Sequence, residues 1–267
     1  MSTITTQWTT HEVGLSPADW ITSNDLQRSA TATMLGDLRR ALKPATRNEC
    51  QRILDIGCGF GGLTRFVGGL CGAAEVHGID TDWRALREAR SKGVFAHRVN
   101  VSQKPLPFPD SHFDLVFSLG MLDFLPCFDG MIREIFRVLR PGGHALISLP
   151  NLASWHNRLF LLMGYQPRDV EVSREVIVGV HPYYRRDPKP TGHIHTTTTR
   201  AFRELMEFHG FRTAGISAGR PNGRRKAWPL AALDAVLSLS PSLARRFFYL
   251  GAKTEMIPEQ ETHSRLE

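Results

Sequence analysis

From Gln51 onward the apolar residues fall into short runs separated by amphipathic stretches. Arg52 to Ile56 is a brief apolar run that stops at Gly57 and predicts a buried strand, and Leu63 to Leu70 follows with helical spacing. Val76 to Asp80 predicts a second strand that ends in an acid. Asp82 to Ser91 predicts a helix with Asp82 as its N-cap, and Phe95 to Val99 a third strand. Pro105 to Ser111 is rich in turn residues and leads into a fourth strand, Phe113 to Ser118. Gly130 to Leu139 then has helical spacing, and Arg140-Pro141-Gly142-Gly143 is a stop signal. His144 to Leu149 predicts a fifth strand. Strands that alternate with helices at this spacing predict an α/β domain with a parallel sheet joined by right-handed crossovers.

The flanks are less regular. Leu26 to Leu42 has an apolar face at Met34, Leu35, Leu38 and Leu42 and predicts a helix that packs on the domain edge. After Pro150, Leu152 to Met163 is helical in pattern and Gly164 breaks it. Tyr165 to Thr198 is long and mixed, and a segment of that length inside a compact domain is usually functional. Arg200 to His209 predicts a helix with Thr199 as N-cap, Phe211 to Ser217 a strand, Trp228 to Leu239 a helix and Arg246 to Lys253 a last strand. The expected division is a helical lead-in at 1–48, a domain at 49–256 with a cap inserted at about 151–198, and a frayed tail at 257–267.

Charge narrows the partners. The net charge is +7, and the stretch from Arg220 to Lys253, seven basic residues against Asp234 alone, carries nearly all of it. The rest is close to neutral, which argues against a body-wide nucleic-acid surface and leaves room for a local anionic partner. No run of about 18 apolar residues exists, so no transmembrane span is expected. Trp228 to Leu239, with Arg224 to Lys226 and Arg245-Arg246 at its ends, has the make-up of a peripheral membrane-contact element, although packing on the sheet is the simpler expectation. The polar start predicts no secretory signal and a cytoplasmic protein. Four cysteines, none in a C-x-x-C pair, give no disulfide framework and no zinc site, so no metal is expected.

The chemistry centres on Asp55-Ile56-Gly57-Cys58-Gly59-Phe60-Gly61-Gly62, between a strand and a helix. Ligands of open parallel sheets bind beyond the carboxyl ends of the strands, at such a turn. Gly57, Gly59 and Gly62 satisfy G-x-G-x-x-G, which alone is a weak signal for a dinucleotide. Asp55 argues against that ligand. Its carboxylate would lie near a diphosphate, and like charges about 4 Å apart cost roughly 1–4 kcal/mol. A cationic ligand without phosphates, such as S-adenosylmethionine, suits Asp55 better. Asp80, 21 residues after Gly59, is placed to accept from ribose hydroxyls in either case.

Leu54 to Gly61 resembles the glycine-rich signature of class I S-adenosylmethionine-dependent methyltransferases. Leu106 to Asp114 resembles that superfamily's loop into the fourth strand, and Arg133 to Gly143 its helix and turn before the fifth. Their order and spacing resemble the small-molecule branch that contains the ubiquinone-type methyltransferases. The resemblance implies a Rossmann-like, doubly wound seven-stranded sheet, mostly parallel, with an antiparallel final strand and a cap insertion. It implies that Asp55, Gly57, Cys58 and Gly59 line the methionine end of the cofactor and that Asp80, with Thr81 beside it, takes the ribose. Asn100 and Val101 would meet the adenine, and Ser118 to Gly120 would border the methyl group. The family often has Asp where Asn100 stands, and a Glu-His pair where this chain has Asp123-Phe124.

Methyl transfer from a sulfonium is an in-line displacement, so positioning dominates, and a base is needed only when the acceptor must lose a proton. Candidates for the acceptor side are His156, Tyr165, Glu171, His193 and His195, with Trp155, Glu175 and His181 nearby. In Gly192-His193-Ile194-His195, extended backbone would put both imidazoles on one side. One would serve as a base or hold the acceptor, or both would be structural or pocket-lining; a metal pair is the remaining alternative, with no third ligand evident. Arg185, Arg186 and Lys189 form a second basic group suited to an anionic acceptor. The expected activity is methylation of a small molecule: a secondary metabolite, or a lipid-linked or quinone-like compound. The alternatives are an NAD-dependent oxidoreductase and an inactive methyltransferase-like binding protein.

Overall fold

The computed structural model describes residues 32–45, 50–182, 190–220 and 228–254. The elements run α1 (Ala32–Leu42), β1 (Arg52–Ile56), α2 (Gly62–Cys71), β2 (Glu75–Asp80), α3 (Trp83–Ser91) and β3 (Phe95–Arg98). Then come β4 (Phe113–Leu119), a 3₁₀ turn (Leu122–Phe124), α4 (Asp129–Val138), β5 (Leu139–Pro150) and α5 (Trp155–Leu162). The chain closes with α6 (Thr199–Phe208), β6 (Phe211–Ala218), α7 (Trp228–Leu237) and β7 (Arg246–Lys253). The basic groups Arg185-Arg186-Lys189 and Arg224 to Lys226, the helix start before Ala32 and the tail lie outside the described residues.

The seven strands form one sheet in the order β3-β2-β1-β4-β5-β7-β6. β1 to β5 are parallel, and β7 runs antiparallel between β5 and β6. This is the doubly wound, Rossmann-like architecture expected from the sequence. Strand side chains alternate between two cores, because successive residues of a pleated strand point to opposite faces. Ile53, Leu115, Phe117, Leu146 and Phe248 face one layer, with α1 and α2 residues such as Leu38 and Phe66. Leu54, Val116, Ile147, Phe247 and Tyr249 face the other, with Ile135 of α4 and Phe202 of α6. Both faces are covered, so each central strand reads as a continuous apolar run.

The structure corrects several boundaries. The stop signal after α4 does not precede the strand but lies inside it. β5 begins at Leu139, opposite Phe113, and the pairing resumes at His144 opposite Leu115, so Arg140 to Gly143 is a bulge. Arg140 is tied there to Asp114, whose other oxygen accepts from the Arg52 backbone N–H at 2.7 Å. α5 begins at Trp155 rather than Leu152, because Asn151 holds the entry: its Oδ1 accepts from the Ala153 N–H, and Ser154 caps the helix. The cap of α6 is Thr198, whose hydroxyl oxygen accepts from the Ala201 N–H at 3.1 Å, so Thr199 lies inside the helix. Asp82 caps α3 as expected, accepting from Arg84 and Ala85.

Two of the three motif segments prove to be structural partners. Arg137 of α4 donates to the carbonyls of Leu106 and Phe108 and to the carboxylates of Asp110 and Glu134. Glu134 in turn accepts from the Leu106 N–H at 2.7 Å. The loop from Leu106 to Asp110 is thus clamped to the helix that follows β4. Its turn residues set the shape of the sheet edge and contribute no reacting group.

Candidate cofactor and acceptor site

Strand order reverses between β1 and β4, and the crevice at the carboxyl ends of these strands is the switch point at which such sheets bind ligands. The glycine turn sits there. The N–H groups of Gly57 and Cys58 both donate to the Ile79 carbonyl, at 2.9 and 3.0 Å, which pins the turn to the end of β2. Gly57 has φ +88, and a Cβ there would stand 2.9 Å from Cβ of Met121. Gly61 has φ +79 and no room for a Cβ against Ala89 of α3. Lys92, ion-paired with Glu88, donates to the Phe60 carbonyl at 2.9 Å and closes the turn from behind.

Asp55 is 3% exposed. Its Oδ2 accepts from the Thr64 hydroxyl at 2.7 Å, while Oδ1 is buried with no hydrogen-bond partner among the described residues. Burial pushes its carboxyl up to about 7, with Thr64 opposing and the Asp80 charge adding to the rise. A buried acceptor with an unused oxygen is costly by itself and fits a site whose ligand brings positive charge. Asp80 accepts from the Gly59 N–H at 2.9 Å through Oδ2, and from the Thr81 and Asp82 N–H groups through Oδ1. A carboxylate has about four acceptor positions, so acceptor capacity towards a ribose hydroxyl remains.

The other expected cofactor contacts divide. Asn100 is exposed after β3, and its Oδ1 accepts from the Ser102 N–H at 3.1 Å, which leaves its amide protons free to turn outward. Val101 packs against the core around Leu106. Cys58 is buried, its sulfur beside the place where a Cβ on Gly78 would fall. Ser118 is fully buried and donates to the Ile56 carbonyl at 3.0 Å, so its hydroxyl ties β4 to β1 instead of facing the methyl group.

On the acceptor side the inserted segment brings one expected group to the crevice. His193 Nε2 lies 3.0 Å from Asp123 Oδ2, and the ring packs on Phe124. Its Nδ1 is 3.0 Å from the Thr191 hydroxyl, whose own proton goes to Glu171 at 2.6 Å. The Thr191 oxygen therefore accepts from Nδ1, and the Asp123 carboxylate stands beside Nε2 as an ion-pair partner that favours the charged ring. Burial opposes that charge, but the Asp123 carboxylate, with Asp169 and Glu171 behind it, raises the pKa above the ordinary histidine value. The raised pKa favours the protonated form, so His193 is better suited to hold an acceptor than to take a proton from one. His195 donates to the Pro126 carbonyl at 2.5 Å and packs on Phe128, so both imidazoles lean on the segment after β4.

The remaining candidates stand elsewhere. Glu171 accepts from the N–H groups of Thr191 and Gly192, which orders the loop that carries His193. Tyr165 packs with Phe160, Val180 and His181 inside the cap. His156 is buried 3.5 Å from Asp234 of α7. Two groups at the crevice escaped the sequence reading: Asp123, mentioned there only as a departure from a family pattern, and Arg246. Nothing local marks either one, because the fold alone brings them to the same edge.

Comparisons agree with this geometry. Residues 54–147 match the family described as "Methyltransferase domain". The chain is 32% identical over 120 residues to a malonyl-[acyl-carrier protein] O-methyltransferase of Enterobacter lignolyticus, covering 45% of this chain and 44% of that protein. It is 34% identical over 100 residues to a fatty-acid O-methyltransferase of Mycolicibacterium smegmatis, covering 37% and 36%. The chain thus spans less than half the length of these two relatives. A SAM-dependent methyltransferase structure from Methanosarcina mazei superposes with a TM-score of 0.57 at 20% identity, covering 80% of this chain and 97% of that one, a likeness of fold. Residues 54–147 are thus similar to the methyltransferase-domain family, and the fold around them is like that of S-adenosylmethionine-dependent methyltransferase structures.

Proposed function

We propose that this protein transfers a methyl group from S-adenosylmethionine to a small-molecule acceptor with a lipid-linked or acyl body. The observation that carries the reading is Asp55: a buried carboxylate with an unbonded oxygen beneath a glycine turn at the sheet's switch point. When bound, the cofactor supplies a methyl group already activated on a sulfonium. The chain's own residues then have positioning work to do. Asp55 offsets positive charge at the methionine end, and Gly57 and Gly59 let backbone approach where a side chain would intrude. Asp80 and Thr81 fix the ribose, and Asn100 and Val101 border the adenine. His193, held by Asp123 and Thr191, presents its ring and the wall of Phe124 to the acceptor.

The secondary-metabolite and quinone-like acceptors are also compatible with a methyltransferase domain. The malonyl-carrier and fatty-acid substrates named for the two relatives favour the acyl class. A dinucleotide would have to place a diphosphate beside Asp55, so the oxidoreductase reading has the weaker electrostatics. A thermal-shift comparison separates the two. S-adenosylhomocysteine at 1 mM, in roughly hundredfold excess over its dissociation constant, stabilises by about 2.7 kcal/mol and raises Tm by several degrees, and NADH leaves it unchanged. Stabilisation by NADH alone would reverse the assignment.

A further inference from the structure

We propose that Arg246 is the anion-binding group of the acceptor subsite, and that the acceptor is methylated on a carboxylate oxygen to give a methyl ester. The inference rests on the methyltransferase reading above and names its substrate class.

Arg246 opens β7, paired with Pro150 at the carboxyl end of β5, so it stands on the edge of the sheet that carries the glycine turn. Its guanidinium lies against Gly120, just past the end of β4. A Cβ on Gly120 would fall 3.0 Å from Nη1 and 3.4 Å from Nη2. Gly120 adjoins Met121, and Met121 is the side chain that touches Gly57 of the turn. Gly219 flanks Arg246 on the other side, where a Cβ would meet its backbone oxygen and side-chain stem. Two glycines therefore make room for this one arginine on the edge that carries the glycine turn.

The guanidinium has five N–H donors, and among the described residues one hydrogen bond is formed, from Nη1 to the Ser148 hydroxyl at 3.1 Å. Ser148 is fully buried and anchors the side chain from below. Asp123 and Asp169 are the carboxylates whose charge reaches Arg246, but Asp123 is engaged by His193, and Arg245 adds a repelling cation. A guanidinium so placed, with unused donors in a fork, matches a carboxylate better than a hydroxyl.

The chemistry balances without a base. The carboxylate oxygen of the acceptor forms the new O–C bond as the donor's C–S bond breaks, and that bond's electron pair stays on sulfur. The anion becomes a neutral ester, the sulfonium becomes a neutral thioether, and no proton moves. A neutral ester loses its attraction to Arg246, which favours release of product.

The test is calorimetric titration of octanoate and octanol into the full-length protein with saturating S-adenosylhomocysteine. Wild type is expected to bind octanoate at least tenfold more tightly than octanol. Arg246→Gln should weaken octanoate by about ten- to hundredfold and leave octanol unchanged, and Arg246→Lys should recover part of the loss. Equal affinity of wild type for the two probes, or octanoate binding untouched by Arg246→Gln, would overturn the inference. The wild-type comparison needs no variant, and S-adenosylhomocysteine affinity reports whether each variant folds. Absence of S-adenosylhomocysteine binding in wild type would instead remove the methyltransferase reading itself.

Discussion

Asp55 is a costly residue for the ligand-free chain. Its folded pKa of about 7 lies above the ordinary carboxylate value, so folding disfavours its charged form. The stability linked to this group is fully present below about pH 4. It is lost as pH rises towards 7, because the unfolded chain releases the proton first. Each step of one in pKa is worth about 1.4 kcal/mol, so the penalty above neutrality is on the order of 4 kcal/mol. Asp55→Asn keeps an acceptor for Thr64 and removes the charge. The variant should melt several degrees above wild type at pH 8 without ligand, and close to it at pH 4, while its affinity for S-adenosylmethionine falls at least tenfold. A variant less stable than wild type at pH 8 would show that Asp55 serves the fold and not a ligand. At this scale the sequence was legible where placement follows from a strand end and its turn, as at Asp55, Gly57 and Asp80. It was not legible at Ser118, whose hydroxyl a neighbouring strand claims, nor at Arg246, which reaches the crevice only through antiparallel pairing with β5.

Elements transmit that placement. α2 starts where the turn ends, and its first residues press on α3 through Gly61, where a Cβ would stand 2.8 Å from Cα of Ala89. Gly61→Ala should therefore cost about 2 to 4 kcal/mol, combining a left-handed backbone with a clash against main chain. Gly72, at the other end of the helix with φ +64 and open space around it, is the control. Gly72→Ala should cost only about 1–2 kcal/mol, the backbone term alone. Chemical denaturation of the two variants measures the difference, and equal losses would mean that helix contact does not set the turn. Element types were readable because period-two and helical patterns survive burial on both faces. Boundaries were misread where side chains act on backbone: Asn151 delays α5, Thr198 caps α6, and the Asp114 bridge to Arg140 turns a stop signal into a bulge.

The whole molecule places its charges by topology. The switch point between β1 and β4 gathers Asp55, Asp80 and the turn, and the antiparallel return of β7 brings Arg246 to the same edge. α1, expected to pack on the domain edge, contributes Leu38 and Leu42 to a main core, so the helix from Ala32 is continuous with the domain's packing. The α/β class and the crevice could be inferred from a single chain because the crossover rules leave few arrangements open. The course of the inserted segment could not, since its position depends on contacts such as Ile194 and His195 donating to the Asp123 carbonyl. The most direct trial of the account is calorimetric titration of S-adenosylmethionine into wild type and Asp80→Ala at pH 8. The crevice described here predicts a dissociation constant within roughly 1 µM to 1 mM for wild type and a loss of about 1.5 to 3 kcal/mol in the variant. No heat of binding at millimolar cofactor, or an affinity indifferent to Asp80, would contradict it.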